Sequence, residues 1–355
     1  MDDRAIIFEN TLLQKQGEIA EKIVDMQYGR QPEFWKAFGP KGRKTSIRDA
    51  AYHLPFLSES VTAGDSDIFT GYVLWVKQLF RGLNFPDDVM KQTLRCTAQV
   101  LKEYFEPSVH PLFLPHIEAG ISEMDRPLPG SGSFIDKTTE AGKIADRYIK
   151  ALLSGDRRTA SDIVMSAVND GMPVKTIYLE VFQNSQYEIG RLWLNNSISV
   201  ATEHFCSAAT QSIMSQLYPH IFSTERIGRT FVAACIGGEL HEIGVRMVSD
   251  FFEMEGWDTY YLGANTPVSS IIKASEENSA DIIGLSAAMP YHRSLLRKTI
   301  KQIRESEEGK RARIMIGGNA VNLKKEGWKE FGADAYAPNA QQAIQIAGKI
   351  LSDGL

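Results

Sequence analysis

From the start of the chain, apolar residues recur at mixed three- and four-residue steps: Ile6, Ile7, Leu13, Ile19, Ile23 and Met26, until Gly29 and Pro32 break the run. That spacing puts them on one helical face. Asp65-Ser66-Asp67 predicts a helix start, with Ile68, Phe69, Tyr72, Val73, Trp75, Val76, Leu79 and Phe80 as the wide apolar face beyond it. Pro86 predicts the first position of another helix, which closes before Pro107. Pro107, Pro111, Pro115, Pro127 and Pro129, with Gly130-Ser131-Gly132, predict a loop-rich stretch ending in a linker over 126–133. This separates a helical domain, 1–125, from the rest of the chain.

Helical periodicity resumes over 136–153, 156–170, 174–194 and 198–222, with breaks at 154–156, Gly171-Met172-Pro173 and Asn195-Asn196-Ser197. Connections this short predict antiparallel neighbours, a four-helix unit over 134–224. From 229 the pattern changes. The stretch 229–238 (RTFVAACIGG) is a continuous, β-branched apolar run closing on Gly-Gly, as a buried parallel strand is. Helices over 242–254, 267–278 and 293–306, and one from 321, alternate with strand-like DTYYLG, DIIGLSAA, RIMIGG and a last short strand near DAYAP. Over 228–355 this predicts a doubly wound, mostly parallel sheet whose ligand sits at the carboxyl ends of the strands.

Composition narrows the partners. The 355 residues are 43% hydrophobic and 23% charged, an ordinary globular balance. Lys+Arg is 39 against 44 Asp+Glu, a net charge of −5 that offers no general attraction to phosphate backbones, so no nucleic acid is expected. Cys96, Cys206 and Cys235 are far apart, with neither disulfide nor zinc spacing. The acidic start lacks the basic region of a secretory signal, and no apolar run reaches the ~20 residues that span a bilayer. A cytoplasmic protein without a membrane partner is expected.

The candidate chemistry comes directly after the first strand: Gly238-Glu239-Leu240-His241-Glu242-Ile243-Gly244. Glu239 can accept a proton from one ring nitrogen of His241, leaving the other as a lone-pair donor to a metal. Gly244 would let a ligand approach the helix start. Taken alone, the run is a weak signal and reads first as a loop histidine capping a helix.

Glu239-x-His241-x-x-Gly244 resembles the Asp-x-His-x-x-Gly motif of cobalamin-binding domains that hold the cofactor with a protein histidine under cobalt. Gly284-Leu285-Ser286-Ala287-Ala288 and Ile316-Gly317-Gly318 stand where that family has its Ser-x-Leu-type and Gly-Gly motifs. The departures are Glu for Asp at 239 and Ala288 where Leu is common. The resemblance implies a flavodoxin-like, Rossmann-like cobalamin domain, with His241 as the lower cobalt ligand. It makes Glu239, Leu240, Gly244, Ser286, Ala288, Gly317 and Gly318 cofactor-binding residues, the serine and glycines lining the slot for the nucleotide tail.

The helical unit ahead of it is similar to the family's cap. Trp193, nine intervening residues, then Glu203-His204 resembles the light-sensing, adenosylcobalamin-binding carotenogenesis repressors, as does Tyr261-Leu262-Gly263-Ala264-Asn265-Thr266-Pro267. In that resemblance Trp193 shields the upper cobalt face, and Glu203 and His204 bond an adenosyl group. By themselves the three residues read as a core tryptophan beside a capping pair. One departure is Leu194, where the repressors have a histidine.

The repressors begin with a winged helix-turn-helix, and the first 125 residues do not read as one. Arg48-Asp-Ala-Ala-Tyr52-His53-Leu-Pro-Phe-Leu57 and Phe69-x-x-Tyr72-Val-x-Trp75 instead resemble photocobilins, photoreceptors that hold a bilin beside cobalamin. That implies biliverdin as a possible second chromophore, with Arg48, His53, Tyr72, Trp75 and Arg81 as candidate contacts, His110 and His116 as lesser ones, and Cys96 as a remote covalent anchor. The resulting expectation is a light sensor and not an enzyme. Photolysis of adenosylcobalamin would move the cap and change a homo-oligomer; with no output domain after residue 355, the signal would leave through assembly or an unidentified downstream protein. The alternative is a corrinoid carrier protein of a methyltransferase system, and a second rival is a cobalamin sensor without photochemistry.

Overall fold

The computed structural model describes residues 3–128, 130, 132–321 and 327–352. The described residues divide into two compact units, one of residues 1–130 with 194–196, the other of 131–193 with 197–355.

The first unit is helical: Asp3–Gln14, Gln16–Arg30, Pro32–Lys36, Gly39–Ala63, Ser66–Gly82, Asp87–Tyr104 and His110–Glu123. The Asp65 carboxylate accepts the Asp67 N–H and caps the fifth, as the sequence predicts. Phe8, Leu12, Ile19, Ile23, Leu54, Phe69, Val73, Leu94, Phe113 and Ile117 fill the core. Gly120 is where two helices close on each other; a Cβ there would lie 3.1 Å from Val73. Pro86 is the N-cap of its helix, one position before the expected first turn. The loop-rich reading of 107–133 needs a larger correction, because His110–Glu123 is helix. Pro111 falls in the first turn, where an N–H has no intrahelical partner to lose. Burial of Phe113, His116, Ile117 and Gly120 then holds the helix through Pro115. Of the expected linker 126–133, Pro129 and Ser131 lie outside the described residues.

The second unit begins with helices Glu140–Leu153 and Arg157–Asn169, capped by Thr139 and Asp156. A continuous helical run then passes through Val174–Thr176, a π-helical turn at Ile177–Phe182, and Gln183–Leu194. Helix Val200–Gln216, capped by Ser199, completes the layer. After it come β1 (Thr230–Cys235), β2 (Asp258–Tyr261), β3 (Ile282–Ser286), β4 (Arg313–Gly317) and β5 (Ala335–Tyr336). They form one sheet in the order β2-β1-β3-β4-β5, every pairing parallel. This is the flavodoxin-like order that the alternating pattern and the resemblance predict. The strand order reverses between β1 and β3, which marks the ligand crevice.

Helices Ile243–Met254, Val268–Glu277 and Arg293–Glu305 cover the sheet. The hydrophobic pattern does not predict two short elements, Glu307–Arg311 and the 3-10 turn Gly327–Phe331, nor the closing helix Ala340–Ser352. The helix expected from 321 falls largely on 322–326, outside the described residues.

The helical layer packs on Ile243–Met254 through two kinds of contact. At one end Tyr178 donates its hydroxyl proton to Asp250 Oδ2 at 2.7 Å and stands beside Phe251, within an apolar cluster that includes Met247. At the other, Arg246 donates to the Gln211 carbonyl at 3.1 Å and to Ser215 Oγ at 2.6 Å, while Gln211 donates to Glu242 at 3.2 Å.

Candidate functional site

The chain leaves β1 through Ile236, turns at Gly238 with φ +78°, and brings Glu239 into the crevice between β1 and β3. Glu239 is wholly buried. Its Oε1 accepts the backbone N–H of His241 at 2.9 Å and the ring Nδ1–H at 2.5 Å. Its Oε2 accepts the backbone N–H groups of Ala288 at 2.7 Å and Met289 at 3.0 Å, and the Nδ1–H of His292 at 3.0 Å. A carboxylate only accepts, so both rings present Nδ1–H to it. Burial alone would raise the Glu239 carboxyl; the bonds from His241, His292 and the backbone outweigh it and hold the group well below the usual carboxylate range.

His241 thus has Nδ1 committed and Nε2 left as a lone-pair donor, on a side chain 63% exposed. Its bond to Glu239 raises its pKa against the opposing effect of burial, with the charges of Glu239 and Glu203 adding to the rise. Glu203 belongs to helix Val200–Gln216, so the helical layer contributes to the electrostatics of the histidine.

The neighbouring loops brace this arrangement. Asn265, at φ +50°, donates its N–H to the Glu239 carbonyl at 2.8 Å and accepts the Gly238 N–H on its side chain at 2.7 Å. Glu242 accepts from the Tyr261 hydroxyl at 2.8 Å and the Ala264 N–H at 3.0 Å. Gly318 has φ +95°, and a Cβ there would come within 2.4 Å of the Ala287 carbonyl; one on Gly317 would stand 3.0 Å from Ala337 O. Glycine at 318 is therefore required by the approach of the β4 loop to the β3 loop. Gly244 faces open space, and Ser286 is buried at the end of β3. Ala288 contributes its backbone N–H, and Leu240 is exposed beside His241.

Of the cap residues, Trp193 is half-buried near the end of Gln183–Leu194. His204 Nδ1 bonds Glu203 at 2.5 Å, and Glu203 also accepts from Ser207 at 3.0 Å. The structure thus joins Glu203 to His204 and brings the Glu203 charge to bear on His241. Sequence reasoning missed His292, Glu242 and Asn265 as parts of this cluster. The signal for the first was a histidine six residues after Ser286, at the same end of the sheet.

Among the expected bilin contacts, Tyr72 touches both His53 and Trp75. His53 and Tyr72 are buried and bond each other at 2.7 Å, and Tyr72 stacks on Phe56. Arg48 is exposed and pairs with its neighbour Asp49, while Trp75 and Arg81 are exposed. His116 bonds Ser60 Oγ at 2.7 Å, His110 bonds the Phe105 carbonyl at 2.8 Å, and Cys96 is buried in the core. A cavity of about 530 Å³ among Glu140, Ile144, Arg147, Asp162, Ile163 and Met172 contains none of the candidate residues of either site.

Residues 229–345 match the family model described as B12 binding domain, and residues 144–218 match a second model of that description. The chain is a cobalamin-binding protein. Dimethylamine corrinoid protein 2 of Methanosarcina acetivorans is 28% identical over 166 residues, 46% of this chain and 74% of the relative. Dimethylamine corrinoid protein 3 of Methanosarcina mazei is 28% identical over 168 residues, 47% of this chain and 96% of the relative. The solved monomethylamine corrinoid protein of Methanosarcina barkeri shares the fold, with a TM-score of 0.53 at 19% identity over 59% of this chain and 98% of that one. These findings overturn the light-sensor expectation. The relatives are corrinoid proteins, which agrees with the alternative reading, and nothing in the comparisons supports an adenosyl form, a bilin or light-dependent assembly. No described helix is long and apolar enough to cross a membrane.

Proposed function

We propose that the chain is a corrinoid carrier protein of a methyl-transfer system, with His241 as the lower cobalt ligand. One observation carries the reading: Glu239 takes the Nδ1–H of His241 and leaves Nε2 directed outward at the β1/β3 crevice. Bound cobalamin would supply a cobalt that accepts and releases a methyl group. The residues present fit such a cofactor. The imidazole is held in the metal-binding tautomer by a buried carboxylate, and small residues at Gly244, Ala288, Gly317 and Gly318 keep the rim low. In this reading Ser286, Gly317 and Gly318 receive the nucleotide tail, and Leu240 flanks the ring beside His241. Trp193, Glu203 and His204, on the helical layer, would shield the bound cofactor from water. The names of the dimethylamine corrinoid relatives support a methylamine-derived methyl group as cargo.

The test is titration of the cofactor-free protein with methylcobalamin, followed by absorption. Stoichiometric binding with a protein nitrogen on cobalt is expected, and His241→Ala should abolish that ligation. Binding with the cofactor's own base still on cobalt, in wild type as in the variant, would end this reading.

A further inference from the structure

The helical run that carries Trp193 is not uniform. Val174–Thr176 and Gln183–Leu194 are α-helix, and Ile177–Phe182 between them is a π-helical turn, the only one among the described residues. There the Gln183 N–H donates to the Tyr178 carbonyl, five positions back, where an α-helix would use the fourth. The turn thus holds one residue more than an α-helical path, and that residue rotates everything beyond it by about 100° against everything before it. Ile177, Tyr178, Val181 and Phe182 are wholly buried within it, while Glu180 is exposed. Both sides of the turn are fixed. Before it, Tyr178 bonds Asp250 Oδ2 at 2.7 Å and Lys175 pairs with Glu255, which fastens the run to helix Ile243–Met254 and its C-cap. After it, Gln186 donates to Thr210 Oγ1 at 2.9 Å and accepts from Ser207 Oγ at 3.2 Å, and Glu188 accepts the Phe134 N–H at 3.0 Å. Trp193 lies one turn beyond the buried Ile189, on the same side of the helix.

We infer that the extra residue of the π-helical turn is a positioning device for Trp193: it lets the run be fastened to Ile243–Met254 at Tyr178 while the same run sets the tryptophan that shields the cofactor. This rests on the proposed role of Trp193. In a uniform α-helix the two demands are out of phase by one residue, and only one of them could be met. A π-helical turn is rare in itself and recurs at functional sites; here the anchors on both sides hold it in place. Tyr178 is wholly buried and Trp193 only half-buried, so without the extra residue the Trp193 side is the one that gives way.

The experiment deletes Glu180, which lets the run close as a uniform α-helix. Glu180→Ala keeps the residue count and is the control. In a third variant the deletion is joined to one alanine inserted after Gln183, which restores the count before Ser185. Melting temperatures verify folding. In the cofactor-free proteins, acrylamide quenching of the Trp193 fluorescence, taken as the difference from the matching Trp193→Phe protein, reports the setting of the indole. In the proteins loaded with hydroxocobalamin, the rate at which added cyanide replaces the hydroxo ligand is compared with the rate in Trp193→Ala.

The deletion is expected to raise the quenching of Trp193 and to bring the cyanide rate up to that of Trp193→Ala. Glu180→Ala and the re-phased variant should match wild type in both. Unchanged quenching in the deletion, or an equal change in Glu180→Ala, would overturn the inference. If the deletion does not fold, the re-phased variant decides: wild-type values there support the inference, and failure to fold there as well ends it. Should Trp193→Ala itself leave the cyanide rate at wild type, the reading of Trp193 as a shield fails, and the quenching still decides whether the turn sets the tryptophan.

Discussion

Two histidines, one in each unit, meet a buried polar partner and are left in opposite conditions. His53 in the helical unit bonds Tyr72, and burial pushes its pKa down to about 4, so it is a neutral, closed core pair. His241 bonds Glu239, which raises its pKa, and its second nitrogen stays accessible. Residue type alone separates neither case. The charge of the partner and the accessibility of the remaining nitrogen do, and both are set by the backbone that carries the ring. A helix interior buries His53 whole, while the loop leaving β1 presents only one edge of His241 to the protein.

The largest way to break the comparison is Glu239→Ala. It strands the ring N–H groups of two histidines and the backbone N–H groups of Ala288 and Met289. Removing one member of a buried, bonded charge cluster costs about 3–5 kcal/mol. Urea unfolding should show that loss, together with loss of histidine ligation of added cobalamin.

The pH response should sharpen the contrast. His53 has a folded pKa below its ordinary value of 6.5, so its stabilising contribution is complete above 6.5 and is lost as pH falls toward about 4. Between pH 7 and 5 that is a loss of about 2 kcal/mol. Asp250, in the second unit, behaves in reverse. Burial raises it to about 6 against the opposing bond from Tyr178, so its contribution is complete below its ordinary 3.8 and is lost as pH rises through about 6. Acidification from pH 7 to 5 should add about 1 kcal/mol there. Urea titrations at both pH values test this pair: His53→Asn should remove the acid loss and Asp250→Asn the acid gain. No such change would show that neither group is perturbed.

The smallest effect is Tyr72→Phe. It removes one hydrogen bond and should cost about 1 kcal/mol, with methylcobalamin binding unchanged. A change in cofactor binding would show that the helical unit takes part in the site.

Much of the α/β half was legible because a buried parallel strand leaves a continuous apolar run that no amphipathic helix produces. Glycines 317 and 318 and the Glu239-x-His241 run lie at the carboxyl ends of the strands, the end at which such sheets bind ligands. What escaped was carried by contacts between loops. Asn265, Glu242 and His292 each act on a residue 20 or more positions away, and one-dimensional spacing cannot report that. The prolines between 107 and 115 misled for a different reason: a first-turn proline and a later one both fit a helix once its apolar face is buried. Of the aromatic residues assigned to a bilin, Tyr72 is buried beside His53 and Trp75 is exposed. Stacking of Tyr72 on Phe56 and burial of His53 look the same in sequence as the wall of a slot.

The helical layer meets Ile243–Met254 through an apolar end at Tyr178, Phe251 and Met247 and a polar end at Gln211, Ser215, Arg246 and Glu242. These ends differ in what separation would cost. Parting the polar end exchanges its hydrogen bonds for bonds to water, at little net free energy each. Parting the apolar end would wet aromatic surface at about 25 cal/mol per Å². The edge at Tyr178 is therefore the costlier of the two to wet, and the Gln211–Glu242 edge, at the helix that carries Glu203, is the cheaper.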